Sequence, residues 1–99
     1  MVVVEGTAPI QPDKWDAAIA ACLTVQAATR PEPGCIRYTF YSELESTHTI
    51  HVFEVWESDE ALDAHLNTLH VLAFFATLGE VVSSAPVVNR YYISNVRPL

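Results

Sequence analysis

Two hydrophobic periods alternate along the chain. Residues 2 to 8, VVVEGTA, are β-branched and then reach Gly6, which predicts a first strand with a bulge or a close backbone approach near its end. From Pro12 the period changes: Trp15, Ile19, Cys22, Leu23 and Gln26 recur at helical spacing among alanines, with Asp13 and Asp16 in the first turn and Arg30, Pro31, Pro33 and Gly34 as the stop. Residues 35 to 42, CIRYTFYS, return to β-branched and aromatic side chains. The polar ELEST then predicts a turn before a third strand, THTIHVFEVWE, residues 47 to 57, so these two runs form an antiparallel hairpin. Ser58 is placed to cap a second helix whose stripe is Leu62, His65, Leu66, Leu69, Ala73 and Ala76. Asn67 and Thr68 favour caps over helix interiors, which predicts a kink or two short helices ending near Gly79. Val87, Val88, Tyr91, Tyr92, Ile93 and Val96 mark a last strand over roughly residues 86 to 96.

The order β-α-β-β-α-β is that of an α+β, ferredoxin-like fold: four antiparallel strands with helices on one face, in a single domain spanning residues 1–99. Both faces of the hairpin strands carry bulky groups. Tyr38 and Phe40 oppose Tyr41 on one strand; Ile50, Val52 and Trp56 oppose Phe53 and Val55 on the other. With 51% hydrophobic and 17% charged residues, the chain has more apolar surface than one small core absorbs. A second copy covering an open sheet face that is apolar on every strand is the economical expectation, a homodimer.

Charge narrows the partners. The net charge is −7, and the five cations Lys14, Arg30, Arg37, Arg90 and Arg97 are scattered. Such a surface repels phosphate backbones and anionic headgroups, so neither nucleic acid nor a membrane surface is an expected partner. The segment MVVVEGTAPI lacks a basic leader and breaks at Glu5, Gly6 and Pro9, which reads as a strand and not a signal peptide. Two cysteines, Cys22 and Cys35, outside any CxxC motif, are expected as free thiols in a reducing cytoplasm.

The candidate chemistry centres on His65. It is either a hydrogen-bonded core histidine or a proton donor or acceptor facing a cavity between helix and sheet. Trp56 offers a flat apolar wall with one N–H, and Glu54, on the same strand face, needs a partner if buried; Arg37, Arg90 and Tyr92 are the candidates, in an ion pair at the subunit interface. Tyr38, Tyr41, Tyr91 and Tyr92 sit at strand spacing, where one or two could line a pocket. His65 and His70 are five apart, about 140° around a continuous helix, and His48 and His51 point to opposite strand faces. Neither pair has a familiar metal-ligand spacing, so no metal is expected. GxSxG, GxGxxG and P-loop patterns do not occur.

The segment EPGCIRYTFY, residues 32 to 41, followed by FEVWESDEALDAHL, residues 53 to 66, resembles the antibiotic biosynthesis monooxygenase family, small dimeric α+β barrels. The likeness rests on Pro33, Gly34 and Tyr38, on Glu54 and Trp56, on Ala61 and Leu62, and on His65. It implies a cofactor-independent monooxygenase acting on a small aromatic phenol or quinol, with no metal or flavin. In that reading His65 and Trp56 are catalytic, and Tyr38, Arg90 and Tyr92 bind substrate. The same fold also resembles isomerases, dehydratases and members without activity. A ring isomerase or cyclase and a non-catalytic, stress-related dimer that sequesters an aromatic metabolite are therefore the alternatives.

Overall fold

A computed structural model describes residues 1–99. Strand β1 (Val2–Pro9) is followed by a 3-10 turn (Pro12–Lys14), helix α1 (Trp15–Thr29), strands β2 (Cys35–Ser42) and β3 (Thr49–Trp56), helices α2 (Asp59–Leu66) and α3 (Leu69–Val81), and strand β4 (Val87–Tyr92). The strands form one antiparallel sheet in the order β2-β3-β1-β4, the ferredoxin-like topology with its second helix divided in two. The last strand is shorter than its apolar run, because pairing with β1 ends where Val2 meets Tyr92.

Alternation in β1 is regular: Val2, Val4, Gly6 and Ala8 face the helices, and Val3, Glu5 and Thr7 face away. On β3 the inward set is Ile50, Val52, Glu54 and Trp56, and on β2 it is Tyr38 and Phe40. Gly6 sits without a bulge between Val52 and Val88. A Cβ there would lie 3.0 Å from one Val88 methyl, so the close approach, and not a bulge, explains the glycine.

The outer face differs from the expected uniformly apolar surface. Val3, Phe53, Val55, Val87 and Tyr91 share it with Glu5, Arg37 and His51, and the Arg37 guanidinium lies 5.0 Å from the centre of the Phe53 ring. Alternation alone assigns a face but does not make every residue on it apolar.

Helix α1 buries Ala18, Cys22, Val25 and Thr29, spaced i, i+4, i+7 and i+11. Leu23, assigned to the stripe from sequence, lies a step around the helix and is exposed. The helix also covers the free edge of β2: Gln26 Oε1 accepts the Phe40 N–H at 2.9 Å and Arg30 Nε donates to the Tyr38 carbonyl at 3.0 Å. No such cover protects β4, which pairs with β1 alone and is exposed throughout.

The break at Asn67 and Thr68 resolves into two helices. Ser58 Oγ accepts the Ala61 N–H at 3.1 Å to start α2; Thr68 Oγ1 donates to the His65 carbonyl at 2.8 Å and caps α3 through the Val71 N–H. Restarting the helix resets its phase. Val71, Phe74 and Val81 turn inward, whereas Leu69, which continued the stripe on a single-helix reading, is 85% exposed, and Ala73 and Ala76 are exposed as well.

Candidate functional site

Between α2, α3 and the sheet lies a cavity of about 320 Å³, within the size range of small-molecule sites. Its floor is low because the inward side chains of β1 shrink to Gly6 and Ala8. Phe40, Leu66, Phe74, Phe75 and Leu78 enclose it from β2 and the helices, and Pro86, Val88 and Arg90 form the wall on the β4 side.

Three polar side chains meet this apolar space from behind. His65, 2% exposed and at the end of α2, borders the cavity. Its ring stands 4.7 Å from that of Trp56 and 5.3 Å, edge to face, from that of Tyr38. Burial lowers the His65 pKa below the usual imidazole value, against the raising effect of Glu32, so the ring is neutral at neutral pH. Glu54 also borders the cavity and receives the Trp56 indole N–H at 2.9 Å. Burial raises its pKa to about 7, with the indole hydrogen bond opposing the shift. Tyr38 is driven well above the usual phenol range, first by burial and then by Glu54, and stays protonated as a donor.

Sequence reasoning missed Glu32 and His70. Glu32 Oε2 lies 2.8 Å from His65 Nδ1 and 2.7 Å from His70 Nε2. A tight turn delivers it: the Glu32 N–H bonds the Thr29 carbonyl, the Cys35 N–H returns to the Glu32 carbonyl, and Gly34, at φ 81°, packs where a Cβ would fall 2.5 Å from that of Ala61. The 140° separation of His65 and His70 holds only on one continuous helix. With the break, the end of α2 and the first turn of α3 bring both rings onto one carboxylate. The three ligand-capable atoms lie within 4.8 Å of one another, a spacing that a metal could use, and the short N···O distances equally suit two imidazole N–H groups donating to one carboxylate oxygen. Glu32 and His70 lie outside the cavity lining.

The other sequence candidates separate. Tyr38 is in the cavity wall. Trp56 is fully enclosed, does not line the cavity, and spends its N–H on Glu54 instead of on a ligand; it buttresses His65. Glu54 pairs with that indole and with no arginine, since it faces the helices while Arg37 is on the outer face. Arg90 lines the cavity, but its guanidinium bridges to Asp59 at 2.8 Å and Asp63 at 3.2 Å, clasping β4 to α2. Tyr92 is 68% exposed and outside the lining.

Residues 1–77 match the family described as Antibiotic biosynthesis monooxygenase. An uncharacterised protein of Synechocystis is 32% identical over 98 residues, covering 99% of this chain and 67% of that protein. Among solved structures, Rv0793 of Mycobacterium tuberculosis is 27% identical with a TM-score of 0.91, covering 98% of each chain. A Deinococcus radiodurans structure, 21% identical, shares the fold at a TM-score of 0.94 over 100% of this chain and 98% of its own. The chain belongs to the antibiotic biosynthesis monooxygenase family.

Proposed function

We propose that this protein is a cofactor-independent monooxygenase for a small, uncharged aromatic phenol or quinol-type compound, anthrones included, bound in the cavity between α2, α3 and the sheet. The observation that carries the reading is a buried imidazole, held at one nitrogen by Glu32, at the edge of an apolar, aromatic-walled hollow. His65 Nδ1 is engaged by Glu32, whereas Nε2 has no protein partner and is not among the enclosed unpaired atoms. A neutral ring presenting a lone pair there acts as a base on an acidic substrate hydroxyl.

In the proposed step the substrate O–H bond breaks and the His65 Nε2–H bond forms, leaving a phenolate. That electron-rich anion passes electrons to dioxygen. One oxygen atom ends in the product, as when an anthrone methylene becomes a carbonyl, and the other leaves as water with the two displaced hydrogens. The substrate thus supplies every electron, and the protein supplies a base, an orientation and a dry space. Tyr38 and Glu54, both in the wall, hydrogen-bond the ring oxygens. Arg90 is assigned to closing the wall, since two carboxylates already neutralise its charge. The same neutralisation disfavours phosphorylated or carboxylated substrates.

A homodimer, outer face to outer face, is part of the proposal. Val87 and Tyr91 on β4 face outward with Val3, Phe53 and Val55, and both are exposed in the single chain. The two cysteines are unpaired, which fits a reducing compartment such as the cytoplasm, and no helix is long and apolar enough to cross a membrane.

Oxygen uptake with naphthoquinols and anthrones tests the reading. Substrate-dependent uptake is expected, falling about 10²-fold or more in His65→Gln with the fold retained. Product without uptake would favour a ring isomerase, and binding without product a sequestering dimer; either outcome removes the oxygenase assignment.

A further inference from the structure

We propose that Glu32 is the positioning residue for the His65 base and that His70, by sharing the same carboxylate oxygen, sets how strong that base is. The inference rests on the reading of His65 as the base and extends it to two residues outside the cavity.

Glu32 approaches the edge of the His65 ring that carries Nδ1, and neither it nor His70 touches the cavity. An ionised carboxylate only accepts hydrogen bonds, so Nδ1 must carry the proton and the lone pair must sit on Nε2, the nitrogen left for a ligand. The opposite tautomer would place a bare nitrogen against a bare carboxylate at 2.8 Å. When a substrate proton arrives at Nε2, the ring becomes an imidazolium hydrogen-bonded to Glu32. Its charge is matched without the carboxylate itself gaining a proton.

His70 changes this balance because its Nε2 donates to the same Oε2 at 2.7 Å. The His70 side chain is 27% exposed against 3% for His65, so of the two rings it is the one in contact with solvent. A positive His70 claims the charge of Glu32 and leaves a His65 imidazolium uncompensated. The groups facing His65 are thus Glu32 from the α1–β2 turn, His70 from α3, Tyr38 from β2 and, through the Trp56 ring, Glu54 from β3. In this arrangement Glu32 supports a proton on His65 and His70 opposes it.

The turn that carries Glu32 makes the assignment geometrical. Gly34 packs against Ala61 of α2, one helical turn before His65, and the Glu57 N–H binds the Gly34 carbonyl at 2.9 Å. Acid and base are therefore fixed to each other through backbone.

Nitrogen-15 NMR of the histidine rings provides a test that needs no substrate. In the wild-type protein at neutral pH, His65 should show a protonated Nδ1 and a bare Nε2. Glu32→Gln keeps an accepting oxygen but no charge, so the tautomer should persist while the His65 titration midpoint falls. Glu32→Ala should lose the tautomer preference too, and His70→Asn should raise the midpoint. If Glu32→Ala fails to fold, the Glu32→Gln midpoint decides. A protonated Nε2 in the neutral wild-type ring, or a midpoint unmoved in Glu32→Gln, would overturn the proposal. With an anthrone that is turned over, Glu32→Gln should lower kcat at least about tenfold with little change in KM. Absence of turnover in every variant would count against the oxygenase reading alone, since the ring spectra report the positioning role independently.

Discussion

Glu54 shows how one residue can be stable in the fold and still costly to it. Its carboxyl is enclosed with a single indole donor, and its pKa stands at about 7 against 4.5 when unfolded. A raised folded value means that its contribution is fully present below pH 4.5 and is lost as pH rises toward 7, because the unfolded chain ionises first. The difference corresponds to about 3 kcal/mol. Glu54→Gln, which cannot ionise, should flatten that part of the stability profile; urea unfolding at pH 4.5 and pH 7.5 would show it, and an unchanged slope would refute it. His65 runs the other way, since its lowered value withdraws stability as pH falls below the usual imidazole range. Of these residues, strand alternation made Glu54 and Trp56 legible in the sequence as neighbours on one face. It could not show that the indole would satisfy the acid, because that depends on Arg37 facing outward and on Asp59 and Asp63 holding Arg90.

At the level of elements, the junction between α2 and α3 decides whether the site exists. The preference of Asn67 and Thr68 for caps is readable from their side chains, but spacing cannot give its consequence for the two histidines, since a helical angle has meaning only within one helix. The same phase reset explains why Leu69 is exposed while Val71 and Phe74 are buried. Thr68→Ala removes an acceptor for the Val71 N–H and a donor to the His65 carbonyl. It should cost about 1 kcal/mol in urea unfolding, as lost N-caps do. Pairing it with Asn67→Ala favours one continuous helix and should swing His70 away from Glu32, which the histidine NMR spectra would report as independent titrations of the two rings. A retained coupling would show that packing of α3, and not its cap, holds the geometry. Glu32 itself had a faint sequence signal: an acid in a Pro-Gly turn has a fixed backbone, yet nothing local names its partner 33 positions away.

For the whole molecule, element order was sufficient to give the ferredoxin-like topology, and the apolar excess correctly indicated surface left over after the core is built. What it could not give was the mixed character of the outer face, where Glu5, Arg37 and His51 lie among apolar groups. Sedimentation of the wild-type protein should give twice the chain mass, and Phe53→Glu combined with Tyr91→Glu should give one; a wild-type monomer at micromolar concentration would remove the dimer. The position of β4 joins this question to the cavity. That strand supplies Val88 and Arg90 to the cavity wall while pairing with β1 alone and meeting α2 through the Arg90 ion pairs, with its residues exposed throughout. A partner that steadies β4 therefore also steadies the wall, so association and ligand uptake are linked by mass action. Dilution should weaken the apparent affinity for a naphthol, and a saturating naphthol should hold the pair together at concentrations where the empty protein comes apart.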